Sequence, residues 1–509
     1  MRITGLVILG FFTFAIGSLC QAAPSPPDAV YSSPQSAESA RAMLRNDYAK
    51  FQNNDFRGAA DGLTALIHSP GFALLNDQEQ HAGYYLLGVA DMENGDNASG
   101  LKMLQIATRS SDAVGVEWHA RLIAAFALHD YNDCIESLTT IAQKWPSSLS
   151  QLNDQAIFLI ARKASEKSDA AAVALLEPIH QFHWTPLDRF SKPDRLWLTL
   201  AKAYANLSDE THEIAALNDV HDGGLLIYVS GDKRFDGAVR ANPSHYDVRA
   251  AIEAEVQETR RLMQENPDRL EAVHSIADVL IKTGHAAEAL ALLDEALARN
   301  KSDAKSFSDQ ADFLNWIYND RTRALTLVGR HEEALEQLVL AARIPEKGLA
   351  NVSQVINLAD AYNSEARPRD ALNAILGLEM ANPSPYGLMA LEHARGCAYA
   401  QLHDEVNLKK SLDYLAAHAS DGRGPLLETL LCANDLDGAA KLIISELKEP
   451  SSRGDTLYTL QDYQDDLKAT AIEKENRQRL LSVRNRPDVA SAISAVGRVE
   501  AYPVLPPNT

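Results

Sequence analysis

Residues able to carry chemistry are present in this chain, but none stands at a spacing that assembles a reaction centre. There is no HExxH helix for zinc, no G-x-S-x-G nucleophile elbow, and no phosphate loop of the P-loop or G-x-G-x-x-G kind. The 15 histidines are scattered. His331-Glu332-Glu333-Ala334 starts like a metal-binding helix, yet it reads as the opening turn of an ordinary helix. Asp462, Asp465 and Asp466 would share one edge of a helix, and with no loop glycine beside them they read as a solvated face, not a calcium site. The residues therefore point to no catalytic set, no metal and no cofactor, and the chain is expected not to be an enzyme.

Composition narrows the class further. The 509 residues carry 48 Lys+Arg against 69 Asp+Glu, a formal charge of −21. That balance excludes a general nucleic-acid binder, which needs basic surface to displace counterions from phosphates. Hydrophobic content of 46% and charged content of 23% are those of a folded protein. Met1-Arg2, the apolar run Ile3 to Leu19 and the small-residue site Cys20-Gln21-Ala22 read as a secretory signal over residues 1–22, cleaved after Ala22. Leu19 before Cys20 argues against lipoprotein processing. A periplasmic or secreted location is the expectation, with no transmembrane segment in the mature chain, since no other stretch reaches about 18 apolar residues. Three cysteines remain, Cys134, Cys397 and Cys432. An odd count leaves small buried apolar residues as the simpler expectation, although Cys397 and Cys432 lie close enough in the repeat described next for a bridge.

The elements that position these residues come from a period of about 34 residues. In Asn266 to Asp303, Ala277, Leu280, Gly284, Ala289, Leu293 and Ala296 follow one another at steps of 3, 4, 5, 4 and 3. The same frame holds for Tyr84, Leu87, Gly88, Gly95 and Gly100; for Trp118, Cys134, Leu138 and Pro146; for Leu325, Gly329, Ala334, Leu338 and Ala341; and for Ala359, Tyr362, Ala371, Ile375 and Pro383, with Gly396 and Tyr399 in the next copy. Weaker copies lie near Phe56–Ala59, Ala201–Tyr204 and Asp437–Ala440. This pattern resembles the tetratricopeptide repeat (TPR) family, in which small residues let two antiparallel helices approach closely. Leu122 and Thr322 depart from it where a small residue is usual. The resemblance implies an all-α, TPR-like α-solenoid in which each helix pair buries on its neighbours a face it cannot bury alone.

Breaks in the frame set the expected boundaries: a disordered Pro-rich leader over 23–37, an N-terminal solenoid over 38–220, an irregular junction with a long helix over 221–265, a C-terminal solenoid over 266–450, and a helical cap with an open Pro-rich tail over 451–509. Subtracting the repeats leaves no segment large enough for an appended enzyme domain. Lys474 to Arg498 is locally basic, and either docks on an anionic surface or folds back as the cap that an open array needs.

Within the resemblance, the first helix of each pair lines the concave face. Those positions place His274, Asp278, Trp316, Asn319, Arg323, Asp360, Asn363 and His393 in the C-terminal groove, a mixed polar surface with Trp and Arg anchors suited to a protein or peptide partner. In the N-terminal half they place Tyr85, Val89, Met92, His119, Ile123 and Phe126, a more apolar set. The Lys and Asn of the branch that clamps a carboxylate are replaced by His274 and Asp278. The expected function is a non-catalytic protein–protein interaction scaffold or adaptor of the bacterial cell envelope. The alternative is a periplasmic glycan- or small-ligand-binding protein using the aromatic residues near Trp316 and Trp118.

Overall fold

A residue in the left-handed conformation followed by aspartate marks six of the interhelix turns: Asn54-Asp55, Gly95-Asp96, His129-Asp130, Ser208-Asp209, His403-Asp404 and Asn434-Asp435. The left-handed residue stops one helix. The aspartate carboxylate then accepts a backbone N–H from the first turn of the next helix, as Asp130 does from Asp133 and Asp404 from Asn407. Chain reversal and helix initiation are thus encoded in two adjacent residues.

The computed structural model describes residues 33–303, 305–345 and 351–506, and it is all-α apart from one pair of two-residue strands. The expected signal segment 1–22 lies outside the described residues. The chain forms two compact units, residues 1–207 and 208–509, dividing ahead of the junction expected at 221–265.

Unit 1 contains α1 (Ala37–Gln52), α2 (Phe56–Ile67), α3 (Asp77–Glu93), α4 (Asn97–Ala107), α5 (Gly115–Ala127), α6 (Tyr131–Lys144), α7 (Asp154–Lys167), α8 (Asp169–Gln181) and α9 (Asp194–Asn206). Its helices pair in antiparallel fashion, and the α3–α4 pair shows why small residues recur: a Cβ on Gly88 would stand 2.7 Å from Leu104 Cγ, and one on Gly100 2.7 Å from the Gly88 carbonyl. The leader is built further back than its prolines suggest. Pro34 is buried, its carbonyl accepts the Gly71 N–H at 2.9 Å, and Ser36 caps α1.

Unit 2 contains α10 (Glu210–Leu217), α11 (Gly223–Gly231), α12 (Asp236–Ala241), α13 (Val248–Glu265), α14 (Leu270–Lys282), α15 (Ala286–Ser302), α16 (Gln310–Leu327), α17 (His331–Ala341), α18 (Val352–Ser364), α19 (Pro368–Ala374), α20 (Pro385–Gln401), α21 (Glu405–Ala417), α22 (Gly424–Cys432), α23 (Leu436–Lys448), α24 (Pro450–Thr459), α25 (Ala471–Arg484) and α26 (Pro487–Val496), with strands β1 (Asp462–Tyr463) and β2 (Ala501–Tyr502). The segment 222–231, expected to be irregular, is helical with Asp222 as its cap. It has a specific use: α11 packs against α24, so the series of helices closes on itself. Gly454 is required at that contact, because a Cβ there would overlap the Tyr228 ring at 1.8 Å.

The C-terminal segment seals the closure. Its helix is not continuous over 456–484, and Asp462 lies in β1, not on a helix edge with Asp465 and Asp466. Nor is the Pro-rich end an open tail. β2 pairs in parallel with β1, Asp462 opposite Ala501 and Tyr463 opposite Tyr502, and Tyr502, Val504 and Leu505 are buried. Fully buried Gln461 donates to the Leu457 and Arg498 carbonyls and accepts the Glu500 N–H. The Leu505 N–H reaches the Lys282 carbonyl at 2.9 Å. Two of the basic residues, Arg479 and Arg498, are used here. Arg479 donates to the terminal carbonyls of α22 at Leu431 and Cys432, where a helix C-terminus favours a cation, and Arg498 pairs with Asp236 and donates to Ser230.

Candidate partner-binding groove

Helices α14, α16, α18, α20 and α22 are the first members of successive pairs, and their side chains meet from one helix to the next. Six of the eight groove residues expected from sequence lie in two clusters along these helices, Asn319 lies between the clusters, and Asn363 is taken up in packing.

The first cluster joins α14 and α16. His274 Nδ1 lies 2.6 Å from Asp320 Oδ2, and Arg323 Nη1 lies 2.9 Å from Asp278 Oδ1 and 3.5 Å from Asp320 Oδ1. Lys282 Nζ takes the other Asp278 oxygen at 2.5 Å. Burial works against the charged imidazole of His274, but the hydrogen bond to Asp320 together with the charges of Asp320 and Asp278 outweighs it and raises the pKa. Burial likewise opposes ionised Asp278, and the two adjacent cations outweigh it, holding the carboxyl below its ordinary range. Each carboxylate of this cluster has a cation within ion-pair distance, although burial still raises the Asp320 carboxyl above its ordinary range. Arg323 is therefore tied within the wall and is not the free anchor its position suggests. The Trp316 ring stands 6.0 Å from the His274 ring and remains 41% exposed, so the aromatic anchor is presented on a rigid polar base.

Asn319 continues the wall by accepting from Asn357 Nδ2 of α18 at 2.8 Å. Asn363 does not face the groove. It is 5% exposed, and its Nδ2 donates to the Ala394 carbonyl of α20 at 2.8 Å, which makes it a brace between adjacent helices.

The second cluster joins α18, α20 and α22. His393 Nδ1 is 3.0 Å from Thr429 Oγ1, and its Nε2 is 3.6 Å from Glu428 Oε2. Asp360 faces these groups; its Oδ1 is sealed from solvent with no hydrogen-bond partner. Burial and the Glu428 charge push the Asp360 carboxyl up to about 6 against the opposing pull of His393. Beside it, Cys397 and Cys432 form a disulfide that staples α20 to α22, with their Cα atoms 5.2 Å apart. The expectation of three reduced, buried cysteines thus holds only for Cys134.

Sequence reasoning missed Asp320, Asn357, Glu428 and Thr429. Asp320 stands one residue outside the positions taken to line the groove. Glu428 and Thr429 lie in a copy of the repeat too degenerate to align.

In unit 1 the polar groups are used differently. His81 Nε2 pairs with buried Glu117 at 2.7 Å, and Arg121 grips Asp133 through Nε at 2.9 Å and Nη2 at 2.8 Å while its guanidinium lies 4.8 Å from the Trp118 ring. Of the residues expected to line that groove, Tyr85 and Val89 are buried while Ile123 is 40% exposed.

Among the described residues, no group of three or more His, Cys, Asp or Glu is arranged to hold a metal, and no helix is long and apolar enough to cross a membrane. The class of protein is that of helical-pair repeat proteins, an all-α solenoid of antiparallel pairs.

No family model matches the chain, and no curated protein does. Among solved structures it is similar to a Rap protein complexed with competence and sporulation factor, at 14% identity and a TM-score of 0.29, over 90% of this chain and 99% of that one. It is also similar to Naa15/Naa10 bound to HypK-THB, at 12% identity and a TM-score of 0.22, over 80% of this chain and 68% of that one. Both superpositions are loose, and the fold assignment rests on the chain's own helix pairs.

Proposed function

We propose that this protein is a non-catalytic binding scaffold of the bacterial cell envelope whose unit 2 holds a segment of a partner protein against the inner wall of α14–α22. The observation that carries the reading is the exposed Trp316 on a base of paired charges. An aromatic ring held rigidly beside satisfied polar groups is the composition of an interaction hot spot, and its burial by a partner adds apolar contact without breaking an ion pair. The resemblance of the repeat to the TPR family supports the same reading. The envelope location is supported by the signal-like residues 1–22 and by the Cys397–Cys432 bridge, a bond that persists in oxidising compartments.

Affinity capture of the mature chain from its native envelope, compared with Trp316→Ala, tests the proposal. A protein retained by the unmutated chain and lost from the variant at unchanged helix content is the expected result. Equal retention by both, or none by either, would contradict it.

A further inference from the structure

Helices α20 and α22 meet along one seam that is part polar and part covalent. A Cβ on Gly396 would stand 2.5 Å from Thr429 Cγ2, so the two helices approach closely there. On the same seam His393 Nδ1 lies 3.0 Å from Thr429 Oγ1, and Cys397 is bonded to Cys432. The Thr429 hydroxyl donates to the Pro425 carbonyl at 2.7 Å, so toward His393 it accepts, and the hydrogen sits on Nδ1. That same Nδ1 lies 3.7 Å from Cys397 Sγ. The two sulfurs differ in their surroundings. Cys397 is 2% exposed, whereas Cys432, the last residue of α22, is half-buried and borders α25. Asn476 Nδ2 donates to Cys432 Sγ at 3.7 Å, and Arg479 Nη1 donates to its carbonyl at 3.2 Å. With nine residues, α22 is shorter than α14, α16, α18 or α20, and it is held between the disulfide and α25.

We infer that the Cys397–Cys432 disulfide is a redox switch, opened by a dithiol reductant at Cys432 with Cys397 leaving beside His393, and that its state sets how firmly α22 holds α25. The attacking thiolate of the dithiol bonds to Cys432 Sγ, the sulfur it can reach, and the Cys397–Cys432 bond breaks. The electron pair of that bond goes to Cys397 Sγ. The leaving thiolate faces His393 Nδ1–H, which stabilises it, gives it a proton and regains one from water; a stabilised leaving thiolate departs faster. The second thiolate of the reductant then displaces Cys432 from the mixed disulfide, and Cys432 is protonated by water. Two electrons have passed to the protein, the dithiol has become a disulfide, and both cysteines are thiols. With the staple open, α22 keeps α20 through non-covalent contacts alone. Helix α25, whose Asn476 and Arg479 grip the last residue of α22, loosens with it. Cys134 of unit 1 does not compete, because it is fully buried and burial pushes its thiol up to about 12.

The test uses the intact mature protein with dithiothreitol as the dithiol. Thiols formed over time are trapped by alkylation and located by mass spectrometry, and hydrogen exchange follows the helices before and after reduction. Under native conditions the rate of opening should rise in proportion to dithiothreitol, and His393→Gln should lower it by about tenfold or more. A merely structural His393 would give the opposite sign, since loosening the seam exposes the sulfurs. In strong denaturant both proteins should be reduced at one rate, because His393 meets Cys397 only in the fold. After reduction the amides of α22 and α25 should exchange faster, while those of α14 and α16 should not change. A native rate that ignores the dithiothreitol concentration would show opening by global unfolding and overturn the switch. Equal or faster reduction of His393→Gln would overturn it as well, and so would unchanged exchange in α25. No partner enters the experiment, so its failure leaves the reading of the groove standing.

Discussion

The two units use one repeat to opposite ends. In unit 1 the charges are spent between helices: His81 on Glu117 and Arg121 on Asp133, each carboxylate nearly or wholly buried. In unit 2 the paired charges of α14 and α16 stand beside Trp316, which stays 41% exposed, and the C-terminal segment returns to fasten α24 to α11. A helical pair needs its small and apolar residues to pack, and those are spent alike in both units. The polar positions left over are free to brace the structure or to face a partner. Unit 1 takes the first course, and on the proposed reading unit 2 takes both.

Three substitutions would break or sharpen that contrast, each read by calorimetry or by unit-specific fluorescence of the intact chain. The largest effect is expected from Cys432→Ser, which opens the α20–α22 staple. With the partners 35 positions apart in sequence, unit 2 should lose about 2–4 kcal/mol, while unit 1, whose described cysteine is the free Cys134, should not respond. Reductant applied to the unmutated protein should reproduce the effect.

Next, Gly88→Leu forces a side chain into Leu104 and should destabilise unit 1 by about 1–3 kcal/mol with no change in unit 2. An unchanged unit 1 transition would mean that the α3–α4 contact is looser than described.

The smallest effect carries the sign that matters most. The Asp360 carboxyl titrates at about 6 in the folded chain, above its unfolded value of about 3.9. The folded state therefore holds the proton more tightly, and stability is lost as pH rises from about 4 through 6, then levels off. Asp360→Asn should leave stability unchanged near pH 4 and raise it by roughly 1–3 kcal/mol above pH 7. A loss of stability at pH 7 would show that Asp360 is a satisfied structural residue.

Much of this architecture was legible because it is written in local pairs. Gly88 with Gly100, and His129 with Asp130, specify a close helix contact and a turn within a few tens of residues. The groove wall was half legible. The first-helix positions identified His274, Asp278, Trp316, Arg323, Asp360 and His393, but periodicity cannot say which side chains pair with each other. Arg323 therefore read as an anchor although Asp278 and Asp320 hold it, and Asn363 read as groove-facing although it braces α20. The closure of unit 2 was not legible at all. It depends on Arg498 meeting Ser230 and Asp236, and on Leu505 meeting Lys282, contacts across more than 200 residues that leave no periodic trace. The Pro-rich end accordingly read as an open tail when it is the seal.

The central claim is that unit 2, through its inner wall, holds a partner segment. The most direct measurement replaces Trp316, and in a separate protein Ile123 of unit 1, with a photo-crosslinking phenylalanine analogue in the native cell, and identifies the adducts by mass spectrometry. Both side chains are about equally exposed, at 41% and 40%, so accessibility does not bias the comparison. A discrete adduct at 316 and none at 123 is the predicted result. Adducts at 123 with none at 316 would place binding in unit 1 and contradict the account.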